Sequence, residues 1–393
     1  MALTADDSAV KNLRGVESAM DTPAVSFVVL CYKLAHLLPE CVNSILSQSF
    51  GDFEVLIMDD CSPDNTEEVA KSFQDPRVKY VRNAQNLGFL RNENEGVRLS
   101  RGKYVWIISA DDYFRKPYIL QRYVELMERN PKVGFSFCSG VSVRNGREME
   151  VLGYSRYRDR DGIIDGHAFL AKLLGKNFVL APSVLARREC YEKISFYPLE
   201  LDWAGQKIDM VWAADWYVWC LFALSFDVAF FAEPMVCYRE HDLSISSNIT
   251  QENLKQCVAA DIAVPWSIRQ KAIERGLKQL SKDSLVAVAN EYARHGESKR
   301  YRGAISSMNP AEFEESLCRG TRVEKERNWI RARFYAARGD RLLNEGNLLE
   351  ARHSYLASLR KDPLLGKVYI KLLFSLGKPG VSLRALLRSI RKT

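Results

Sequence analysis

Between residues 25 and 138, short apolar runs alternate with stretches whose apolar positions recur at helical spacing. The runs at 25–30, 53–58, 78–81, 104–108 and 133–138 are rich in β-formers and have the length of strands. The stretches at 37–48, 65–73, 89–100 and 117–130 read as amphipathic helices, the last stopped by Pro131. Strand and helix in alternation predict an α/β fold, and short connections of fixed hand make a doubly wound, mainly parallel sheet its expected form. Such sheets bind ligands outside the carboxyl ends of their strands, which directs attention to the residues just after each run.

The pattern loosens over 141–209, where Gly, Tyr and Arg clusters predict loops packed over the sheet, a setting that often holds acceptor pockets. A helical run over 214–225, a strand over 228–232 and a polar segment over 238–248 follow. The expected division is a flexible lead-in over 1–23, an α/β domain over 24–250 and a helical domain over 251–393. Within the last, residues 332–363 place Ala336, Ala337, Gly339, Gly346, Ala351 and Tyr355 ahead of Asp362 and Pro363, a spacing similar to one tetratricopeptide repeat. An ordinary helical hairpin covering the sheet domain is the alternative. Over 381–392, Leu383, Leu386, Leu387 and Ile390 share one helical face, with Arg384, Arg388, Arg391 and Lys392 around the other. That basic amphipathic pattern suits peripheral contact with anionic lipid, or docking on its own domain.

Composition narrows the class. A chain of 393 residues, 47% apolar and 27% charged, is neither fibrous nor disordered nor a small disulfide scaffold. The formal charge of +7 is concentrated in residues 301–393, which hold 19 basic and 9 acidic side chains. No aromatic-basic motif accompanies that excess, so nucleic-acid binding is not expected. Nine scattered cysteines without a CxxC pair predict reduced thiols and a cytoplasmic setting. The first 23 residues lack the apolar core of a secretory signal, and no run approaches the roughly 18 apolar residues of a membrane span.

The acidic residues fall where a doubly wound sheet binds ligands. Asp59 and Asp60 follow the second run, and Asp111 and Asp112 follow the fourth. Two adjacent carboxylates at a low-dielectric sheet edge repel unless a cation or hydrogen-bond donors compensate. Oxygen ligands of this kind suit Mg²⁺ or Mn²⁺, which would bridge the acids to a diphosphate; a solvated turn is the plainer alternative. Neither the dinucleotide glycine fingerprint nor a P-loop is present.

Four blocks in order, VSFVVLCYKLAHLLPECVNSILSQSFGDFEVLIMDDCSPDNT, NLGFLRNENEGVRLSRGKYVWIISADD, AADWYVW and YREHDLSIS, make residues 25–247 resemble the family 2 glycosyltransferases of GT-A fold. The resemblance implies a GT-A, Rossmann-like sheet and inverting, metal-dependent transfer of a sugar from a nucleotide diphosphate, most often UDP. The hydroxyl acceptor would be a growing saccharide or a lipid-linked saccharide. It implies that Leu30, Cys31 and Tyr32 run along the donor nucleotide, and that Asp60 meets its base. Asn86, Arg91 and Asn94 would approach the donor, Asp111 its ribose or the metal, and Asp112 and His241 the metal, Mn²⁺ or Mg²⁺. Asp215 takes the place of the base that deprotonates the acceptor. Trp203, Trp212 and Trp216 stand around it in sequence as acceptor-stacking or core residues. The chain departs from the family pattern at Lys33, Glu93 and Ser109, which leaves donor identity open, and at Ala214, which removes one carboxylate from the acceptor side. Two other functions are weighed with this one: a peptide glycosyltransferase that holds polypeptide on its helical domain, and a non-catalytic scaffold that binds sugar nucleotides.

Overall fold

Val25–Cys31 (β1), Phe53–Asp59 (β2), Val78–Arg82 (β3) and Tyr104–Ser109 (β4) pair in parallel in the order β3-β2-β1-β4. This is the arrangement in a computed structural model that describes residues 22–203, 206–241, 250–295 and 324–376. Leu38–Leu46 (α1), Thr66–Lys71 (α2), Phe89–Leu99 (α3) and Ile119–Arg129 (α4) are the helices among them, so each apolar run is a strand and each amphipathic stretch a helix. Every residue of β1 and β2 is buried, because helices cover both faces of such a sheet. Phe27, Val55, Trp106 and Ile108 pack with Leu38, Val42 and Tyr123 of α1 and α4. Val28 and Met58 meet α3 on the opposite face, at Gly96. Trp106 fixes the first face: it stacks 5.9 Å from Phe27, stands edge-on 4.7 Å from Phe114, and donates its indole N–H to the Pro182 carbonyl at 2.8 Å.

Beyond β4 the sheet continues through Leu185–Arg187 (β9), Val133–Arg144 (β6), Asp227–Arg239 (β12) and Tyr113–Phe114 (β5), in that spatial order. β6 and β12 pair in parallel, while β9 and β5 run antiparallel to their neighbours. Arg147–Val151 (β7) and Gly162–Ile164 (β8) pair with β6 and β12. Pro234 lies where the β12 register shifts, between Phe231 and Val236, the bulge position in which a strand tolerates proline. The expectation of loops across 141–209 is therefore corrected. Short strands and the helices Gly166–Leu173 (α5) and Arg188–Lys193 (α6) occupy much of it, with a hairpin of Glu200–Trp203 (β10) and Gln206–Asp209 (β11). β9 is hidden from hydrophobic patterning by Arg187, which is only 7% exposed. Its guanidinium donates to the Val133 and Met127 carbonyls at 2.8 and 2.7 Å, so a cation fills a core position with its donors satisfied.

The described residues group into two units. The first holds the sheet: residues through Ile164, then Phe178–Tyr197 and Phe226–Glu240. The second holds Asp165–Asn177, Pro198–Ser225 and the described residues from His241 onward. In it, Ala214–Ala223 (α7) is apolar around nearly its whole circumference and buried accordingly. Gln251–Glu274 (α8), capped by the Thr250 hydroxyl, pairs with Lys278–His295 (α9). Glu324–Asn344 (α10) and Leu348–Lys361 (α11) lie antiparallel, with Gly339 against the Tyr355 ring and the Ser358 hydroxyl donating to the Ala332 carbonyl at 2.7 Å. Gly346, at φ +79°, makes the turn between them, and Gly366–Phe374 (α12) follows. The lead-in up to residue 21 and the basic segment 381–392 lie outside the described residues. Among those described, no helix is long and apolar enough to cross a membrane.

Candidate active site

Four strand ends of the first unit carry its polar residues. At the end of β1, Leu30 and Cys31 are buried and their carbonyls accept from Ala110 and Asp60 at 2.9 and 3.0 Å, while Tyr32 is 41% exposed. Burial pushes the Cys31 thiol up to about 12, so it packs as a neutral small hydrophobe. Lys33 adopts a left-handed φ of +59°, its N–H donates to the Ser62 hydroxyl at 3.0 Å, and its ammonium lies 5.0 Å from the centre of the Tyr32 ring.

The two acids at the end of β2 diverge. Asp59 is fully buried and accepts from the Ser62 amide, the Tyr80 hydroxyl and Arg82 at 2.9, 2.7 and 2.5 Å. Asp60 accepts from the Asn83 side chain and from the Leu87 and Gly88 amides at 2.9, 2.8 and 2.9 Å. Its carboxylate therefore shapes the 83–88 loop. Three of the roughly four acceptor positions of a carboxylate are used, which leaves capacity for one more donor. Asn86, exposed, accepts from the Gly88 amide at 3.1 Å, and Arg91 is exposed on α3. Asn94 is committed elsewhere: 5% exposed, it exchanges hydrogen bonds of 2.9 and 2.8 Å with the backbone of Tyr197.

Asp111 and Asp112 follow β4 in a turn closed by the Asp112 amide on the Ser109 carbonyl at 3.0 Å. Pairing of Cys237 with Tyr113 brings the end of β12 alongside. From there the Arg239 amide donates to Asp112 Oδ1 at 2.9 Å, and Arg239 Nε donates to the Asp111 carbonyl at 2.8 Å. The same guanidinium reaches Glu40 of α1 at 2.5 Å. Asp112 is 4% exposed. Burial, and secondarily the Asp111 charge, hold its carboxyl well above the usual carboxylate range despite Arg239. A buried acid with a like-charged neighbour is a donor set that fits a hard divalent cation, which relieves both effects at once. Among the described residues, no group of three or more His, Cys, Asp or Glu side chains is gathered in a metal-binding arrangement.

In the second unit, Asp215 stands in the first turn of α7. It accepts from the Trp216 amide at 2.6 Å and from Asn177 Nδ2 at 3.1 Å. A helix N-terminus favours the anion, yet burial is the larger effect and raises the carboxyl above its ordinary value. An acid so placed takes up a proton more readily than a solvated one. Trp216 is 4% exposed and its indole donates to the Leu173 carbonyl at 2.9 Å, so its ring serves the packing of α5 and α7. Trp212 is partly exposed, the Trp203 side chain lies outside the described residues, and His241 is partly exposed in the second unit. Sequence reasoning missed two contacts. Arg239 stood inside a recognised block without an assigned role, and Asn177 has no local signal at all.

Residues 26–171 match the family described as Glycosyl transferase family 2. The uncharacterized glycosyltransferase MJ1057 of Methanocaldococcus jannaschii is 34% identical over 182 residues, 45% of this chain and 60% of that protein. The succinoglycan biosynthesis protein ExoO of Rhizobium meliloti is 34% identical over 103 residues, 26% of this chain and 29% of the relative. The chain thus spans from under a third to three-fifths of these curated relatives. The crystal structure of S. aureus TarS residues 1–349 in complex with UDP-GlcNAc aligns with a TM-score of 0.53 at 17% identity, over 92% of this chain and 91% of that one. Residues 26–171 thus carry a match to glycosyl transferase family 2, and the chain shares the GT-A fold of TarS.

Proposed function

We propose that the protein is an inverting, metal-dependent glycosyltransferase. It moves a sugar from a UDP-sugar to a hydroxyl of a saccharide or lipid-linked saccharide during polysaccharide synthesis. The observation that carries this reading is the buried Asp112 beside Asp111, held by Arg239 at the carboxyl edge of the sheet. A divalent cation, Mn²⁺ or Mg²⁺, held by Asp111 and Asp112, would supply Lewis-acid neutralisation of the leaving diphosphate. Tyr32 offers an exposed ring to the nucleotide, and Asp60 keeps acceptor capacity for a base N–H. In the transfer, the acceptor oxygen forms its bond to the anomeric carbon as the bond from that carbon to the diphosphate oxygen breaks. The acceptor proton passes to the Asp215 carboxylate, whose basicity burial enhances. Support for the donor class comes from the TarS complex with UDP-GlcNAc, and for the pathway class from ExoO, named for succinoglycan biosynthesis.

The test is donor binding and hydrolysis across UDP-, GDP- and dTDP-sugars with Mn²⁺, Mg²⁺ or EDTA. Wild type is compared with Asp112→Ala and Asp215→Asn. Metal-dependent binding of one UDP-sugar should vanish in Asp112→Ala and persist without turnover in Asp215→Asn. A protein that binds no donor under any metal condition would refute the reading.

A further inference from the structure

Asp215 is held from a segment remote in sequence. After α5 the chain turns sharply, with the Gly175 amide on the Lys172 carbonyl at 3.1 Å and the Lys176 amide on the Leu173 carbonyl at 3.2 Å. Two consecutive residues of α7 engage this turn. The Trp216 indole donates to the Leu173 carbonyl at 2.9 Å, and the Asp215 carboxylate accepts from Asn177 Nδ2 at 3.1 Å. Trp216 is 4% exposed, so the indole pins the helix start to the turn, and the amide then fixes where the carboxylate points. Its two oxygens are separately addressed: Oδ1 takes the Trp216 amide, and Oδ2 takes Asn177. A carboxylate confined by one donor per oxygen keeps lone pairs for a proton in a defined direction.

We propose that Asn177 is the positioning residue of the base, orienting the Asp215 carboxylate toward the acceptor hydroxyl while adding no positive charge beside it. The inference rests on Asp215 being that base. The chemistry of the donor is the point: a lysine or arginine in this place would hold the carboxylate equally well but lower its proton affinity. Among the described residues no charged side chain shifts Asp215. The titratable neighbour on its own helix is Cys220, whose buried thiol is raised in part by the Asp215 charge. From α8 the Ser267 hydroxyl lies 2.6 Å from that of Tyr217, which also feels the Glu274 charge, and Arg275 just beyond α8 donates to the Leu224 carbonyl at 3.1 Å. From α5, His167 Nε2 meets the Leu224 carbonyl at 3.4 Å, beyond the far end of α7.

The experiment measures kcat and KM for hydrolysis of the UDP-sugar selected by the donor panel, from pH 5 to 9. The 393-residue wild type, Asn177→Ala, Asn177→Gln, Asn177→Asp and Asp215→Asn are compared. Asn177→Ala should lower kcat roughly 10- to 100-fold, leave the donor KM unchanged, and move the acidic limb of the profile to higher pH. Asn177→Asp should move that limb further, because a second carboxylate then faces the first. Alongside, a double-mutant cycle of Asn177→Ala with Asp215→Asn in urea unfolding should show coupling of roughly tenfold in the unfolding equilibrium constant at pH 8. If Asn177→Ala does not fold, Asn177→Gln gives the same reading, with kcat reduced at constant KM. An unchanged kcat and pH profile in a folded Asn177 variant, with Asp215→Asn inactive, overturns the role of Asn177 alone. Full turnover by Asp215→Asn overturns the assignment of the base itself.

Discussion

Gly96 faces β1 and β2 from the middle of α3, and a methyl group there has nowhere to go. A Cβ on Gly96 would stand 2.3 Å from Val28 Cγ1 and 3.1 Å from Met58 Cγ, against an ordinary contact of 3.4–4 Å. Two opposed effects decide the outcome of Gly96→Ala. Helix propensity favours alanine by about 1 kcal/mol. Overpacking a tight core costs about 1–3 kcal/mol, and the upper part of that range applies here. Val28 is β-branched with little rotamer freedom, and its strand is hydrogen-bonded on both sides. The net expectation is a loss of roughly 1–2 kcal/mol, read as a lower urea midpoint at unchanged m. Donor affinity should fall with it, since α3 carries Asn92, which donates to the Met58 carbonyl at 3.0 Å and accepts from Asn83, a partner of Asp60. Gly51→Ala, whose Cβ would meet nothing within 4 Å, is the control and should change stability by less than about 0.5 kcal/mol. Adding Val28→Ala to Gly96→Ala should recover stability relative to the sum of the single losses. Strict additivity, or a Gly96→Ala protein as stable as wild type, would refute the packing argument.

Mn²⁺ at a hundredfold excess over its Kd should stabilise the wild type by about 2.7 kcal/mol, with EDTA reversing the shift and Asp112→Asn abolishing it; a donor that binds equally well in EDTA would remove the metal from the reading. Arg239→Ala should destabilise the fold by about 1.5–3 kcal/mol, because the charged guanidinium's hydrogen bonds to the Asp111 carbonyl and to Glu40 are lost, while the backbone amide bond to Asp112 remains. Arg239→Lys should restore only part of that, since an ammonium cannot reach the Asp111 carbonyl and Glu40 with a planar fork; calorimetry showing lysine equivalent to arginine would count against the clamp. Burial raises the Asp215 carboxyl, so the folded chain holds that proton more tightly than the unfolded chain, and the stability linked to it is lost as pH rises from about 4 through the folded value. Asp215→Asn escapes that loss, and its Tm relative to wild type should improve between pH 4 and pH 8, whereas a pH-independent difference would contradict the assigned direction.

The parts of this fold that were legible in the sequence are those whose physics is local. β1, β2 and β4 announce themselves as predominantly apolar runs because helices cover both faces of the sheet. Asp60, Asp111 and Asp112 stand out because acids directly after buried strands occupy the ligand-binding edge. The limits have a physical cause as well. β9 stayed hidden because Arg187 fills a core position, which three carbonyls and an aromatic face make tolerable and no window of three residues can foretell. A motif position identifies a residue but not the direction of its atoms. Asn94 sits within a recognised block and spends its amide on Tyr197, 103 residues away. Asp60 spends three acceptor positions on its own loop. The converse holds for Asn177, which belongs to no recognised block yet meets the proposed base 38 residues along the chain. Chemistry at strand and helix ends is thus written locally, while the orientation of the groups that perform it depends on long-range hydrogen bonds. Substitutions at Arg239 and Asn177 therefore probe the reading more sharply than substitutions at the motif acids, since loss of activity at Asp112 or Asp215 would follow from several mechanisms. A shifted pH profile at Asn177 follows from one.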